Sequence, residues 1–331
     1  GLALTLLTLL LLFLGALLDG LYLNSTGAIR AHDADAVVFS DDARESFLRS
    51  TVDAELRGEL LTLDEVGEVG GLGFSLLGVD VPGEDETVDG AVAGYELSSS
   101  SLPAPPPPGE AHADRRMGDF GAELGMTVLV GPAEVPLVIT GWVDDTNYLL
   151  QNALWVAPET WRAVQNANRP DAPVADDEFQ VFVTRAADGA DGGALPAVVD
   201  ERLDGTESLS ETDAAFAVPG VTEQNRTFSS VIGVTVFVAG LVVALFFALL
   251  TIERQGQYAM FKALGASSPR LVAGVVVQSA AVALGAFALG GLLTFGLSLV
   301  IPPAVPAQFE PSRVVFTLTS VLAASVIGSL I

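Results

Sequence analysis

His32 and His112 are the only imidazoles in this 331-residue chain, and it contains no cysteine. Multi-histidine and cysteine metal sites, thiol nucleophiles and disulfide staples are therefore excluded. A serine hydrolase would need one of those two histidines beside an activated serine, and no Gly-x-Ser-x-Gly run presents one. Gly71, Gly73 and Gly78 lack the spacing of a dinucleotide loop. Carboxylates gather at Asp41 and Asp42, at Glu84, Asp85 and Glu86, and at Asp176, Asp177 and Glu178, where a cation such as calcium could sit. None has the spacing of a calcium loop, so they read as solvated acidic surface. Asn24 and Asn225 open Asn-x-Thr sequons but lie next to apolar stretches, where a glycosylating enzyme has poor access. No catalytic residue, metal or chain-bound cofactor is expected, and the informative residues must lie elsewhere.

Half of the residues are apolar, yet 41 are acidic, which a single surface cannot accommodate. Residues 19–227 hold all but two of the acids and all but four of the bases, 39 against 11, a formal balance of −28. This stretch is a water-facing domain, long enough to build its own core without staples. Its charge repels nucleic acid and other polyanions, so no nucleic-acid partner is expected. Fourteen of the fifteen bases are Arg and only Lys262 is Lys, which together with the acid excess suggests a halophilic source.

Four segments have roughly the 20 apolar residues needed to cross a bilayer: 1–20, 228–252, 271–301 and 314–331. The first lacks a basic leader and a small-x-small cleavage pattern, so it reads as an anchor rather than a signal peptide. The segment joining the second and third spans, 253–270, carries Arg254, Lys262 and Arg270 against Glu253. Basic residues in short loops stay inside, which puts this segment and both termini in the cytoplasm and residues 21–227 outside a plasma membrane crossed four times. The chain opens on Gly1 and ends without a polar tail, so both cytoplasmic ends are expected to continue in the gene product. Small residues recur at four-residue spacing in the spans, at Gly240, Ala244 and Ala248, at Ala286, Gly290 and Thr294, and at Ser320, Ala324 and Gly328. Such stripes let helices approach in lipid and imply a packed bundle.

Within the water-facing domain, strand patterns fall at 36–40, 73–81, 128–130, 135–143, 153–156 and 180–184. Helical patterns fall at 42–51, 115–124, 158–167 and 193–203. The alternation predicts a mixed α/β domain inserted between the first and second membrane helices. Ser98–Ser101 followed by Leu102, Pro103 and Pro105–Pro108 reads as an extended, flexible excursion.

The connection 253–270 reads Glu-Arg-Gln-Gly-Gln-Tyr-Ala-Met-Phe-Lys-Ala-Leu-Gly-Ala-Ser-Ser-Pro-Arg. As a short helix it places Tyr258, Phe261 and Leu264 on one side and turns Gln255, Gln257 and Lys262 elsewhere. Gly265 suits a left-handed helix cap, Ser268 the start of the next helix and Pro269 its first turn. Such a helix fits a groove in a soluble partner, and an amphipathic turn lying on the lipid surface is the alternative.

The run of Arg254, Lys262, Ala263, Leu264, Gly265, Ala266 and Ser267 resembles the cytoplasmic signature of the FtsX/MacB-type ABC permease family. The order of one span, a large external domain and three further spans is similar too, as are the phrases Gly125–Val130, Val138–Asp145 and Trp155–Trp161. Many members carry Glu where this chain has Gln257. The resemblance implies a non-catalytic permease subunit, homodimeric or paired with another permease. Two copies of a cytoplasmic ABC ATPase would hold the ATP and Mg, and Arg254, Gln257, Tyr258, Phe261, Lys262, Leu264 and Gly265 would form the ATPase-docking segment. Motion of the second span would then move the external domain for export, extraction or signalling. A membrane-anchored receptor or adhesion module without ATPase coupling is the competing class.

Overall fold

The computed structural model describes residues 2–253, 256–257, 260, 263–264, 267–300 and 305–330. The chain divides into a helical unit, residues 1–21 with 223–331, and a sheet unit, residues 22–222.

The helical unit takes in most of α1 (Leu2–Arg30) and α6 (Val221–Glu253), with α7 (Ser268–Ser298) and α8 (Pro311–Leu330) complete. All four are long and apolar enough to cross a membrane. Leu4, Leu11 and Leu18 stand seven residues apart on α1 and are buried with Ile232, Ala239 and Val243 of α6, Ala283 and Ala286 of α7 and Val321 of α8. Large side chains such as Phe237, Leu292 and Phe295 are exposed, as hydrocarbon solvent permits. Ser267, one position before the serine expected from the sequence, occupies the N-cap position of α7 without a side-chain capping bond.

α1 does not stop near Gly20. Its 29 residues reach about 44 Å at 1.5 Å each, well beyond a hydrocarbon core of about 30 Å, and its last nine belong to the sheet unit. Charge and polarity end the apolar stretch but not the helix: the hydroxyl of Thr26 bonds back to the Tyr22 carbonyl at 2.7 Å and leaves the ladder usable.

In the sheet unit, strands run β1 (Ala36–Ser40), β2 (Val66–Asp80), β3 (Val88–Tyr95), β4 (Glu110–Asp114), β5 (Thr127–Val130), β6 (Val135–Val143), β7 (Asn152–Val156), β8 (Val181–Ala186) and β9 (Thr206–Leu209). Helices α2 (Ala54–Leu60), α3 (Pro158–Asn168), α4 (Leu195–Arg202) and α5 (Glu211–Ala217) are short. β2 organises the sheet. β3 lies along one edge from Leu72 to Val79, while β8 (from Val66 to Leu72) and β5 (at Val79 and Asp80) share the other. The ring β2-β3-β7-β4-β6-β5 thereby closes on itself, and β8, β1 and β9 extend from it. Closure removes exposed strand edges, leaving the four-residue β9 at the sheet's end. Val92 and Leu154 enter one apolar cluster and their neighbours Ala93 and Trp155 the other, the period-two signature of a sheet buried on both faces.

Two expectations are overturned here. Residues 42–51 form no α-helix: a short 3-10 turn at Asp41–Ala43 ends where Arg44 and Glu45 sit at φ 51° and 57°, in the left-handed region, and the chain then delivers Phe47 into the core against Phe39, Phe74 and Tyr148. The Pro-rich stretch is a strap, not a loose excursion. Leu102 is fully buried, and the Tyr95 hydroxyl donates to the Pro103 carbonyl at 2.8 Å.

Candidate coupling site

Between Glu253 and Ser268 the structure describes Gly256, Gln257, Met260, Ala263, Leu264 and Ser267. The Leu264 amide donates to the Met260 carbonyl at 3.0 Å, a helical turn, and Leu264 and Met260 are exposed. Gln257 is exposed as well. Arg254, Tyr258, Phe261, Lys262 and Gly265 lie outside the described residues.

Of the small-residue stripes, two face each other. A Cβ added to Gly328 of α8 would lie 2.8 Å from the Gly240 carbonyl and 3.0 Å from the Ala244 nitrogen of α6, and one added to Gly240 would meet the Ala324 Cβ at 3.6 Å. Gly290 of α7 is set against Thr8 of α1, where an added Cβ would lie 3.0 Å from the Thr8 Cβ. Ala286 and Thr294 are buried, Ser320 is half-buried, and Ala248 is exposed.

Within the sheet unit, residues 24–34, the last turns of α1 and the residues that follow, are held by hydrogen bonds from neighbouring loops. The Ala28 amide donates to the Asn147 carbonyl at 3.0 Å, and the carbonyls of Ser25 and Asn24 accept from Leu149 and Leu150 at 3.1 Å each. The gripping loop holds three non-glycine residues in the left-handed region, Asp145, Leu149 and Leu150, a backbone cost that the surrounding bonds must offset. Gly27 makes the approach possible, since a Cβ there would stand 2.3 Å from the Asp145 carbonyl oxygen.

Beneath the loop, Asp114 is fully buried and accepts from the Thr146 amide (2.8 Å), the Thr146 hydroxyl (3.0 Å) and the Arg116 amide (3.1 Å). Burial holds its pKa above the usual carboxylate range against the pull of those three bonds. The Asn24 side chain, 2% exposed, accepts from Asn147 at 3.2 Å and from the Arg116 guanidinium. Beyond it Arg185 donates to the carbonyls of His32 (2.7 Å) and Ser98 (2.8 Å), and Glu211 accepts from the Ala34 amide at 2.9 Å. Sequence reading missed this grip. Its partners are distant in the chain, and the one local sign is the polar run Asn24-Ser25-Thr26 opposite Asp144-Asp145-Thr146-Asn147.

Residues 229–331 match the family model described as FtsX-like permease C-terminal. This C-terminal third of the chain is therefore similar to an FtsX-like permease domain. That domain spans most of α6, all of α7 and α8, and the connection between α6 and α7 that the sequence singled out. No curated protein matches the chain. Among solved structures, the periplasmic region of MacB from Actinobacillus actinomycetemcomitans is 13% identical with a TM-score of 0.40, over 58% of this chain and 96% of that one. The extracellular domain of the noncanonic ABC-type transporter YknZ from Gram-positive bacteria is 12% identical with a TM-score of 0.35, over 53% and 98%.

Proposed function

We propose that this FtsX-like permease chain is the membrane subunit of an ABC-type transport or mechanotransmission complex, driven by a separate cytoplasmic ATPase. The observation that carries the reading is the family match across α6, α7 and α8, which encloses the basic Ala-Leu-Gly-Ala-Ser connection. Arg254, Lys262 and Arg270 favour the cytoplasm for that connection, and with four spanning helices the acidic sheet unit then faces outside and both ends inside.

In this reading Tyr258, Phe261 and Leu264 enter a groove of the ATPase, while Arg254 and Lys262 meet its acidic rim. ATP and Mg belong to the partner, and this chain supplies no catalytic group. A dimer of two such chains would pair two ATPases. α6, a helix of 33 residues, is the element that would carry displacement from that connection along its axis.

Replacing Phe261 and Leu264 together with Asp places two charges on the docking face. Recruitment of the P-loop ATPase to membranes containing the full chain is expected to fall at least about tenfold, the scale of losing apolar anchors at the centre of an interface. Unchanged recruitment, measured by co-sedimentation, would refute the docking role.

A further inference from the structure

An ion pair in the helical unit joins residues 294 positions apart. Arg313, in the first turn of α8, grips Asp19 of α1: Nη2 donates to Oδ1 at 2.7 Å, and Nε donates to Oδ1 and Oδ2 at 3.1 and 3.2 Å. The Asp19 side chain is only 11% exposed. One face of α1 is shaped around the pair. Gly15, a turn earlier, clears the arginine stem, since a Cβ there would lie 3.0 Å from the Arg313 Cγ. Gly20 clears the connection that leads into α8, where a Cβ would fall 1.8 Å from the Pro306 carbonyl oxygen, closer than any substituent could tolerate. Between them, the Ala16 carbonyl accepts from the Gln308 amide at 2.9 Å.

We propose that Asp19 and Arg313 form an ionic latch that fastens α1 to the α7–α8 connection, so that the two travel as one body within the helical unit. Apolar side chains could hold two helices together at this depth without the desolvation that charges incur. A two-armed guanidinium–carboxylate pair adds register, because it fixes both the rotation and the height of one helix against the other. The latch deepens the transmission reading by naming parts that move together. Its test involves no ATPase, so it can fail while the docking role stands.

The chain has no native cysteine, so a pair can be introduced without background. With Ala16→Cys and Gln308→Cys in the full chain in membranes, oxidative cross-linking is compared across Asp19→Asn, Arg313→Gln and the two together. Each single change strands a charge and is expected to slow cross-linking about tenfold, and the double change to be no slower than the slower single. Unaltered rates, or losses that multiply in the double variant, overturn the latch. A second pair, Gly240→Cys with Ala324→Cys, reports the rest of the bundle and is expected to cross-link at the same rate in all variants. An equal loss there also overturns the proposal, because the ion pair would then hold the whole bundle and not this connection.

Discussion

Replacing Trp161 with Ala is expected to lower the unfolding free energy of the sheet unit by about 3–5 kcal/mol. Trp161 projects from α3, is fully buried, and stacks on Phe179 with ring centroids 6.0 Å apart and planes 9° from parallel. Its ring lies flat on β2 and β3, where two glycines make the seat: a Cβ at Gly73 would come within 2.3 Å of the ring, and one at Gly94 within 2.4 Å of the tryptophan Cβ. Nothing nearby can fill the space that the indole leaves, because the strands beneath are already in register. All three tryptophans of the chain lie in this unit, so denaturant unfolding of the full chain followed by fluorescence reads it selectively, with Trp142 and Trp155 still reporting in the variant. A loss below about 1 kcal/mol would contradict the placement of the ring.

Acid should weaken the same unit through His32. Its imidazole is buried between Tyr95 and Trp155, with ring centroids 6.4 and 5.5 Å away, and its pKa is lowered from 6.5 to about 3. Desolvation is the main cause and the nearby Arg185 charge the next, with Asp33 pulling weakly the other way. The unfolded chain therefore binds a proton that the fold refuses between those two values, and stability falls as pH drops through that window. One proton is worth about 1.4 kcal/mol per pH unit at full slope, which integrates to about 2 kcal/mol between pH 6.5 and 4.5 because the unfolded imidazole is half protonated at the start. Glu211 and Asp114, whose carboxyls burial holds above their usual range, act in the opposite direction and become protonated at the acid end. The comparison that isolates His32 is with His32→Leu, whose stability should decline less over this interval by that amount. Parallel pH profiles for the two proteins would rule out the buried neutral imidazole.

What could be read from the residues followed apolar periodicity and what could not followed tertiary demand. β1 and β6 were legible to the residue because Val, Ile and Phe alternate or run together there. β3 (Val-Asp-Gly-Ala-Val-Ala-Gly-Tyr) and β4 (Glu-Ala-His-Ala-Asp) were not, since Gly and Ala have poor strand propensity. In β3 those small residues are there for Trp161 and the neighbouring strands, a need that no local pattern announces. Glycines 71 and 73, tested against a nucleotide loop, turn out to make room on β2 for the rings of Phe179 and Trp161. The connection 253–270 was singled out by its signature, and Arg254, Tyr258, Phe261, Lys262 and Gly265 in it lie outside the described residues. The grip on Asn24–Ala28 and the Asp19–Arg313 pair were not legible, because each joins residues far apart in the chain and involves side chains of ordinary type.

ATP-driven transmission requires the α6–α7 connection to face the nucleotide pool, and single cysteines in this cysteine-free chain read sidedness directly. With a membrane-impermeant maleimide on intact cells, Leu61→Cys in the sheet unit is expected to label at once and Gln257→Cys only after permeabilisation, both residues being exposed. Labelling of Gln257→Cys in intact cells, with Leu61→Cys protected until they are opened, would contradict the account.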